Sequence, residues 1–229
     1  MRPARAHLRT AIACLALCGW LASTAHAEPI DRSFPAGVGA RFSFSSAVAN
    51  GELVLSIATS SASRVAVECF FAAAGRSMWE QFVIDLTSGA PTVSEGYLLT
   101  AEASAPERIP PAALQGLSDL MLTDFLISTR AQLDRYKKGV EQLTVPASAA
   151  PITATRYEHT KGGQTLTFWL SDAARPLGLV KLESRGDKMS QRYTLLLVSG
   201  MKNVGRKIDP AKAVPLSSEG QALLEAASR

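Results

Sequence analysis

Residues 151–185 read PITATRYEHTKGGQTLTFWLSDAARPLGLVKLESR. Three runs in this stretch alternate apolar and polar residues. Ile152–Thr160 is the first, and Lys161-Gly162-Gly163 is its turn. In the second, Leu166, Phe168 and Leu170 face one way, and Thr165, Thr167 and Trp169 face the other. Asp172–Leu177 is a loop in which Pro176 arrests pairing. Leu179–Arg185 is the third run. A period of two with short turns means antiparallel sheet.

The same pattern runs upstream. Arg41–Ser45 alternates. Asn50-Gly51 predicts a hairpin turn, because both turn positions favour positive φ. Leu53, Leu55 and Ile57 line the second strand, and Ser60–Ser63 turns. Val65, Val67, Cys69 and Phe71 line the third, and Gly75-Arg76-Ser77 turns. Met78, Phe82, Ile84 and Leu86 line the fourth, and Gly89-Ala90-Pro91 turns. Val93, Tyr97 and Leu99 line the fifth. Strands at a spacing of about 12 residues mark a meander that curls into a barrel or half-barrel.

Pro106–Pro111 breaks the pattern. Pro111 suits the first turn of a helix. Leu114, Leu117, Met121 and Phe125 follow at helical spacing. The helix ends near Leu126 or runs on toward Lys138, where Gly139 stops it; residues 127–138 fit neither period. Val140–Val145 resumes the strand pattern. After the 151–185 stretch, Gly186-Asp187-Lys188 turns into Tyr193–Met201. That tenth strand is apolar on both faces, so it is central or covered. Ile208–Pro215 is a Pro-bearing extended tail, and Ser217 caps a final helix over Glu219–Ala227. The expected fold is mainly β (α+β), a curved antiparallel meander or half-barrel of about ten strands with a helix packed on its concave side.

The chain has 229 residues, and the first 27 read as a secretory signal peptide. Arg2, Arg5 and Arg9 form its positive end. Ala11–Leu21 is its apolar core, too short to span a bilayer, and Ala25-His26-Ala27 is a cleavage site. Cys18 raises lipidation, but Leu17 stands where a lipoprotein peptidase wants a small residue. Residues 28–229 are read as one β-rich domain with a C-terminal tail, periplasmic or secreted. The segment carries three of the 24 Lys+Arg and none of the 20 Asp+Glu, which leaves 21 against 20. A near-neutral balance gives no footprint for nucleic acid. No second apolar run is long enough for a transmembrane anchor. Cys69 is the one cysteine after the segment, so no internal disulfide is expected and its thiol is read as buried and inert.

Several phrases carry a family look. Val145-Pro146-Ala147 leads into Ala154-Thr155-Arg156-Tyr157. A Gly-Gly turn leads into Phe168-Trp169-Leu170-Ser171, and Pro176-Leu177-Gly178-Leu179-Val180-Lys181 follows. This run resembles secreted bacterial proteins of LolA/LolB-like architecture, the outer-membrane lipoprotein carrier type. The likeness covers about residues 139–201 well, and the N-terminal half by strand pattern alone. It implies an open, curved sheet with helices plugging the concave side, and a periplasmic binder of an apolar moiety. The carriers' lid-holding arginine has no counterpart that can be placed here, so the likeness transfers no site residue.

The residues themselves argue against most chemistry. His159 is the one histidine after residue 27, so a His-rich metal site and a Cys/His cluster are not expected. A hydrolase would have to use His159 or Ser199, and no serine elbow is present. Ser199-Gly200-Met201-Lys202 matches S-x-x-K but ends a strand instead of opening a helix. Glu68, Glu80, Glu95 and Glu158 read as the outward side of the alternation. Lys202, Arg206, Lys207 and Lys212 form a modest basic cluster that reads as a solvated loop. No catalytic residue, metal or cofactor is expected.

The candidate ligand-lining residues are the aromatics of the strands and the apolar side of the helix: Phe71, Trp79, Tyr157, Phe168, Trp169, Met121 and Phe125. Adjacent pairs such as Phe168/Trp169 put an aromatic on each face, so one of each pair faces outward. The expected function is non-catalytic binding of a lipid or lipoprotein acyl chain. The alternatives are an envelope protein partner held on a sheet edge or outer face, and hydrolysis.

Overall fold

Two runs of hairpins meet side by side. The first is β1 (Gly39–Ser46), β2 (Asn50–Ser60), β3 (Arg64–Ala73), β4 (Arg76–Asp85), β5 (Thr92–Thr100) and the two-residue β6 (Glu107–Arg108). The second is β7 (Lys137–Leu143), β8 (Ile152–Lys161), β9 (Gln164–Leu170), β10 (Leu179–Arg185) and β11 (Tyr193–Met201). The computed structural model describes residues 34–47, 49–87, 92–117, 133–161, 163–187 and 192–228. Within them, β1 pairs antiparallel with β11, with Phe44 opposite Leu195, and this seam joins the two runs. A last short strand, β12 (Val214–Pro215), lies parallel to β6. The result is one open, curved sheet of twelve strands, ordered β12-β6-β5-β4-β3-β2-β1-β11-β10-β9-β8-β7.

All ten expected strands are present. The two additions, β6 and β12, are two residues long and too short to show a period. β11 is central, between β1 and β10, with Tyr193, Leu195 and Leu197 buried on one face and Leu196 and Val198 half-buried on the other. Helix α1 (Pro111–Leu117) starts at the expected proline, and α2 (Ser218–Ser228) closes the described chain. Ser217 caps α2 as expected: its Oγ accepts from the Gly220 N–H at 3.0 Å. Met121, Phe125, the course of the helix beyond Leu117 and the signal segment lie outside the described residues.

Three local expectations are corrected. The β1–β2 turn lies before Asn50 and is closed by the Ser46 N–H to Ala49 O at 2.9 Å. Asn50-Gly51 opens β2 instead. Gly51 is required by close approach: a Cβ there would lie 2.1 Å from Ala72 O. The β3–β4 turn is Ala74-Gly75, with φ of +53° and +76°, a two-residue primed turn whose twist suits the strands. In β5, the register passes from Val83 opposite Glu95 to Ile84 opposite Val93. The extra residue, Ser94, is a bulge, and bulges re-aim side chains. Val93 therefore does not share a face with Tyr97 and Leu99.

One face carries the main core. Phe42, Phe44, Leu53, Leu55, Ile57, Phe71, Leu195 and Leu197 are buried on it, and Phe44 meets Phe71 edge to face at 5.1 Å. Ile109, Leu114, Leu133, Leu223 and Leu224 join the same cluster from outside the long strands. Leu114 of α1 sits on Gly96, where a Cβ would lie 2.5 Å from its Cδ2.

The other face is crossed by the chain after β11. Ala66, Val83 and Tyr97 form a second cluster with Ile208, which is fully buried. Four polar positions stand opposite one another across β2–β5: Ser56, Glu68, Gln81 and Tyr97. Glu68 corrects the outward reading of the strand carboxylates. It lies on the outer face but is fully buried under the crossing segment. Its carboxylate accepts the backbone N–H of Lys207 at 3.1 Å and of Ile208 at 2.9 Å, and the Gln81 amide at 3.0 Å. The same amide donates to Ile208 O at 3.2 Å.

Candidate functional site

The β3–β4 hairpin and α2 enclose a cleft at one end of the main-core face. Its volume is about 320 Å³, at the lower end of the range of small-ligand sites, roughly 300–1,000 Å³. Phe71, Met78 and Leu223 are its buried apolar lining, and Arg76, Glu102 and Glu219 are its exposed charged rim. The primed turn at Ala74-Gly75 folds β4 back on β3, so Phe71 and Met78 face each other across the hairpin. The opposite wall comes from the far end of the chain. Glu107 fixes it there: its Oε2 accepts the Ser217 N–H at 3.1 Å, and Gly220 leaves room for that carboxylate.

One row further along the same strands, Cys69 faces Glu80 and Glu80 faces Leu98. Glu80 is buried on the main-core side, again contrary to the outward reading. Its Oε2 has no hydrogen-bond partner among the described residues. Burial pushes its carboxyl up to about 8, so it is held un-ionised at neutral pH. Burial, and then the nearby Glu80, push the Cys69 thiol well above its ordinary value, which makes it a poor nucleophile.

The sequence-predicted lining residues do not gather in one place. Phe71 lines the cleft. Tyr157 and Phe168 stack at 5.3 Å and also lie in the main core. However, β9 is five strand spacings from β3. Trp79 and Trp169 point to the other face. Trp79 stacks with Phe70 at 4.6 Å, and both are half-buried. Trp169 is covered from outside: Lys181 Nζ lies 4.7 Å from its ring centre, and its Nε1 donates to Glu141 at 2.9 Å. Arg156 pairs with the same Glu141 at 2.7 Å. The question raised by adjacent Phe168 and Trp169 is thereby answered by a charged lattice over Trp169.

The residues weighed for chemistry are dispersed. His159 is on β8, its ring 4.4 Å from that of Tyr136. Ser199 is on β11, three strand spacings away, about 14 Å at the usual strand separation. No nucleophile–base pair forms from them. Lys202 lies exposed past the end of β11. Among the described residues no three His, Cys, Asp or Glu side chains are placed to hold a metal ion. Glu95 serves the outer face, where the Tyr97 hydroxyl and the Arg64 guanidinium hold it below the usual carboxylate range. Of the basic tail residues, Arg206 and Lys212 both pair with Asp209.

Nothing in the sequence pattern marks Arg76, Met78, Glu102, Glu219 and Leu223 as a site. Glu219 is far from Arg76 in sequence, and only the return of the tail to β6 brings them together. No local pattern carries that signal.

Neither family models nor curated proteins match the chain. Solved structures do. A "putative exported protein with YmcC-like fold" of Bacteroides fragilis is 15% identical, covers 74% of this chain and 98% of its own, and has a TM-score of 0.39. A hypothetical protein of Chlamydia trachomatis is 8% identical, covers 79% and 92%, and scores 0.40. Among the described residues no helix is long and apolar enough to cross a membrane.

Proposed function

We propose that this is an exported, periplasmic or secreted, non-catalytic binding protein for an apolar ligand such as a lipid or lipoprotein acyl chain. On this reading the helix that opens at Pro111 packs on the concave side of the sheet, in the manner of the LolA/LolB-like carriers. The observation that supports it most is the cleft. Phe71, Met78 and Leu223 form its apolar floor at the end of the core, and Ser77, Thr100 and the charged rim make the rest of its lining polar. Concave apolar surface with a few polar groups is what small-molecule sites share. The test is native mass spectrometry of delipidated protein after incubation with an envelope lipid extract. One retained acyl-chain ligand, lost in Leu223→Glu, is expected. A protein that retains nothing overturns the reading.

A second reading, an envelope protein-interaction module, is favoured by one observation. Phe70 and Trp79 stack on the outer face beside Val54 and Leu99, and they remain partly exposed. Aromatic pairs of this kind anchor protein interfaces. A crosslinking experiment from position 79 that returns one stoichiometric envelope partner supports it, and solvent-only labelling at that position removes it.

A further inference from the structure

The cleft lining belongs to the cross-strand row Phe71–Met78–Thr100, and the next row on the same face is Cys69–Glu80–Leu98. Alternate residues of a strand are about 7 Å apart. Glu80 is not in the cleft lining but stands one such step behind Met78 on β4, and the unbranched Met78 side chain is easily displaced. Glu80 is buried between a thiol and a leucine, and its Oε2 has no partner among the described residues. A buried polar atom without a partner calls for an explanation. An un-ionised carboxyl can both donate and accept.

The mouth limits what can enter. Arg76 contributes one positive charge, and Glu102 and Glu219 contribute two negative ones. Their sum is one negative charge, so the rim is net acidic. An anionic head would be repelled there. A cationic head would pass, but it would require a buried ion pair at Glu80 with the desolvation of both partners.

We propose that the cleft takes an uncharged single-chain amphiphile, an aliphatic chain ending in a hydroxyl, whose hydroxyl passes Met78 and hydrogen-bonds the Glu80 carboxyl. This rests on the reading of the cleft as an apolar-ligand site and narrows its ligand class. The test uses the full mature chain and displacement of the uncharged fluorophore N-phenyl-1-naphthylamine. Decanol, decanoate and decyltrimethylammonium are the competitors. Decanol is expected to compete at about tenfold lower concentration than either ion, in line with the cost of burying charge. Glu80→Leu should weaken decanol about fivefold, the usual worth of one neutral hydrogen bond. Glu80→Gln, which still donates and accepts, should stay within about twofold of wild type.

Decanol bound as tightly by Glu80→Leu as by wild type overturns the Glu80 contact and leaves the apolar cleft standing. Decanoate competing as well as decanol overturns the assignment of the head group. Decanol binding that survives Leu223→Glu moves the ligand out of this cleft and overturns the proposal. A wild-type protein that takes up neither the fluorophore nor any competitor overturns both the proposal and the apolar-ligand reading beneath it.

Discussion

Glu80 shows how one side chain can tie stability to pH. Its carboxyl is un-ionised in the folded protein up to about pH 8, whereas in the unfolded chain it ionises near its ordinary value of 4.5. Between those values the folded state binds more protons than the unfolded state, so stability falls as pH rises, by up to about 1.4 kcal/mol per unit. Below the lower value the contribution is fully present, and above the upper one the loss is complete. Glu80→Gln removes this group from the titration. The variant is expected to show a flatter denaturant-midpoint profile between pH 5 and 8 and to exceed wild type at the alkaline end. Equal slopes for the two proteins would refute this account. The residue scale was partly legible in the sequence. Cys69, placed in an apolar strand, was read as buried, and it is. Glu68 and Glu80 were read as outward because a period of two assigns faces but does not show what covers each face. Glu68 is covered by a segment 139 residues further along the chain, and Glu80 stands among core residues, its Oε2 without a partner among the described residues.

Turns and strands form a scale at which the sequence speaks more clearly. The ten long strands could be read because alternation repeats over seven residues or more, while β6 and β12 at two residues leave no pattern. The turns lie one or two residues from the glycines that suggest them, because a glycine can serve close approach instead of left-handed backbone. Gly51 is such a case, and Ala74 is the converse, an alanine at a φ of +53°. An L-residue with a Cβ costs about 1–2 kcal/mol in that region. Ala74→Asn creates the Asn-Gly pair that primed hairpin turns prefer. It is expected to stabilise the protein by about 1 kcal/mol, raising Tm by about 2–4 °C for a chain of this size. Gly51→Ala brings a methyl against Ala72 O and is expected to destabilise by about 1–3 kcal/mol, the usual cost of overpacking. Thermal denaturation of both variants checks the pair. An Ala74→Asn protein that melts below wild type would contradict the turn assignment.

At the scale of the whole molecule, the cleft depends on a segment that crosses the opposite face. The chain leaves β11, ties to Gly37 through the Val204 N–H at 2.9 Å, and is clipped by Glu68 at Lys207 and Ile208. It then turns at Pro210–Lys212, pairs as β12 with β6, and delivers Glu219 and Leu223 to the cleft. The two faces of the sheet are thus mechanically linked, with Glu68 on one side and the ligand wall on the other. Glu68→Ala strands the buried Ile208 N–H, takes the acceptor from the part-buried Lys207 N–H, and leaves the Gln81 amide with Ile208 O alone. Each orphaned donor costs about 1–3 kcal/mol, so the variant is expected to lose several kcal/mol of stability. The loss should be local before it is global. Hydrogen exchange is expected to quicken first at residues 204–213 and then along α2, with β7–β10 unchanged, because the seam between β1 and β11 does not involve the clip. Glu68→Gln keeps one acceptor and should restore part of the protection. Ligand uptake at the cleft should fall in Glu68→Ala even though Glu68 touches no lining residue. Exchange that quickens uniformly over all strands, or a cleft that binds as before while the tail is free, would show that the wall does not hang on the clip.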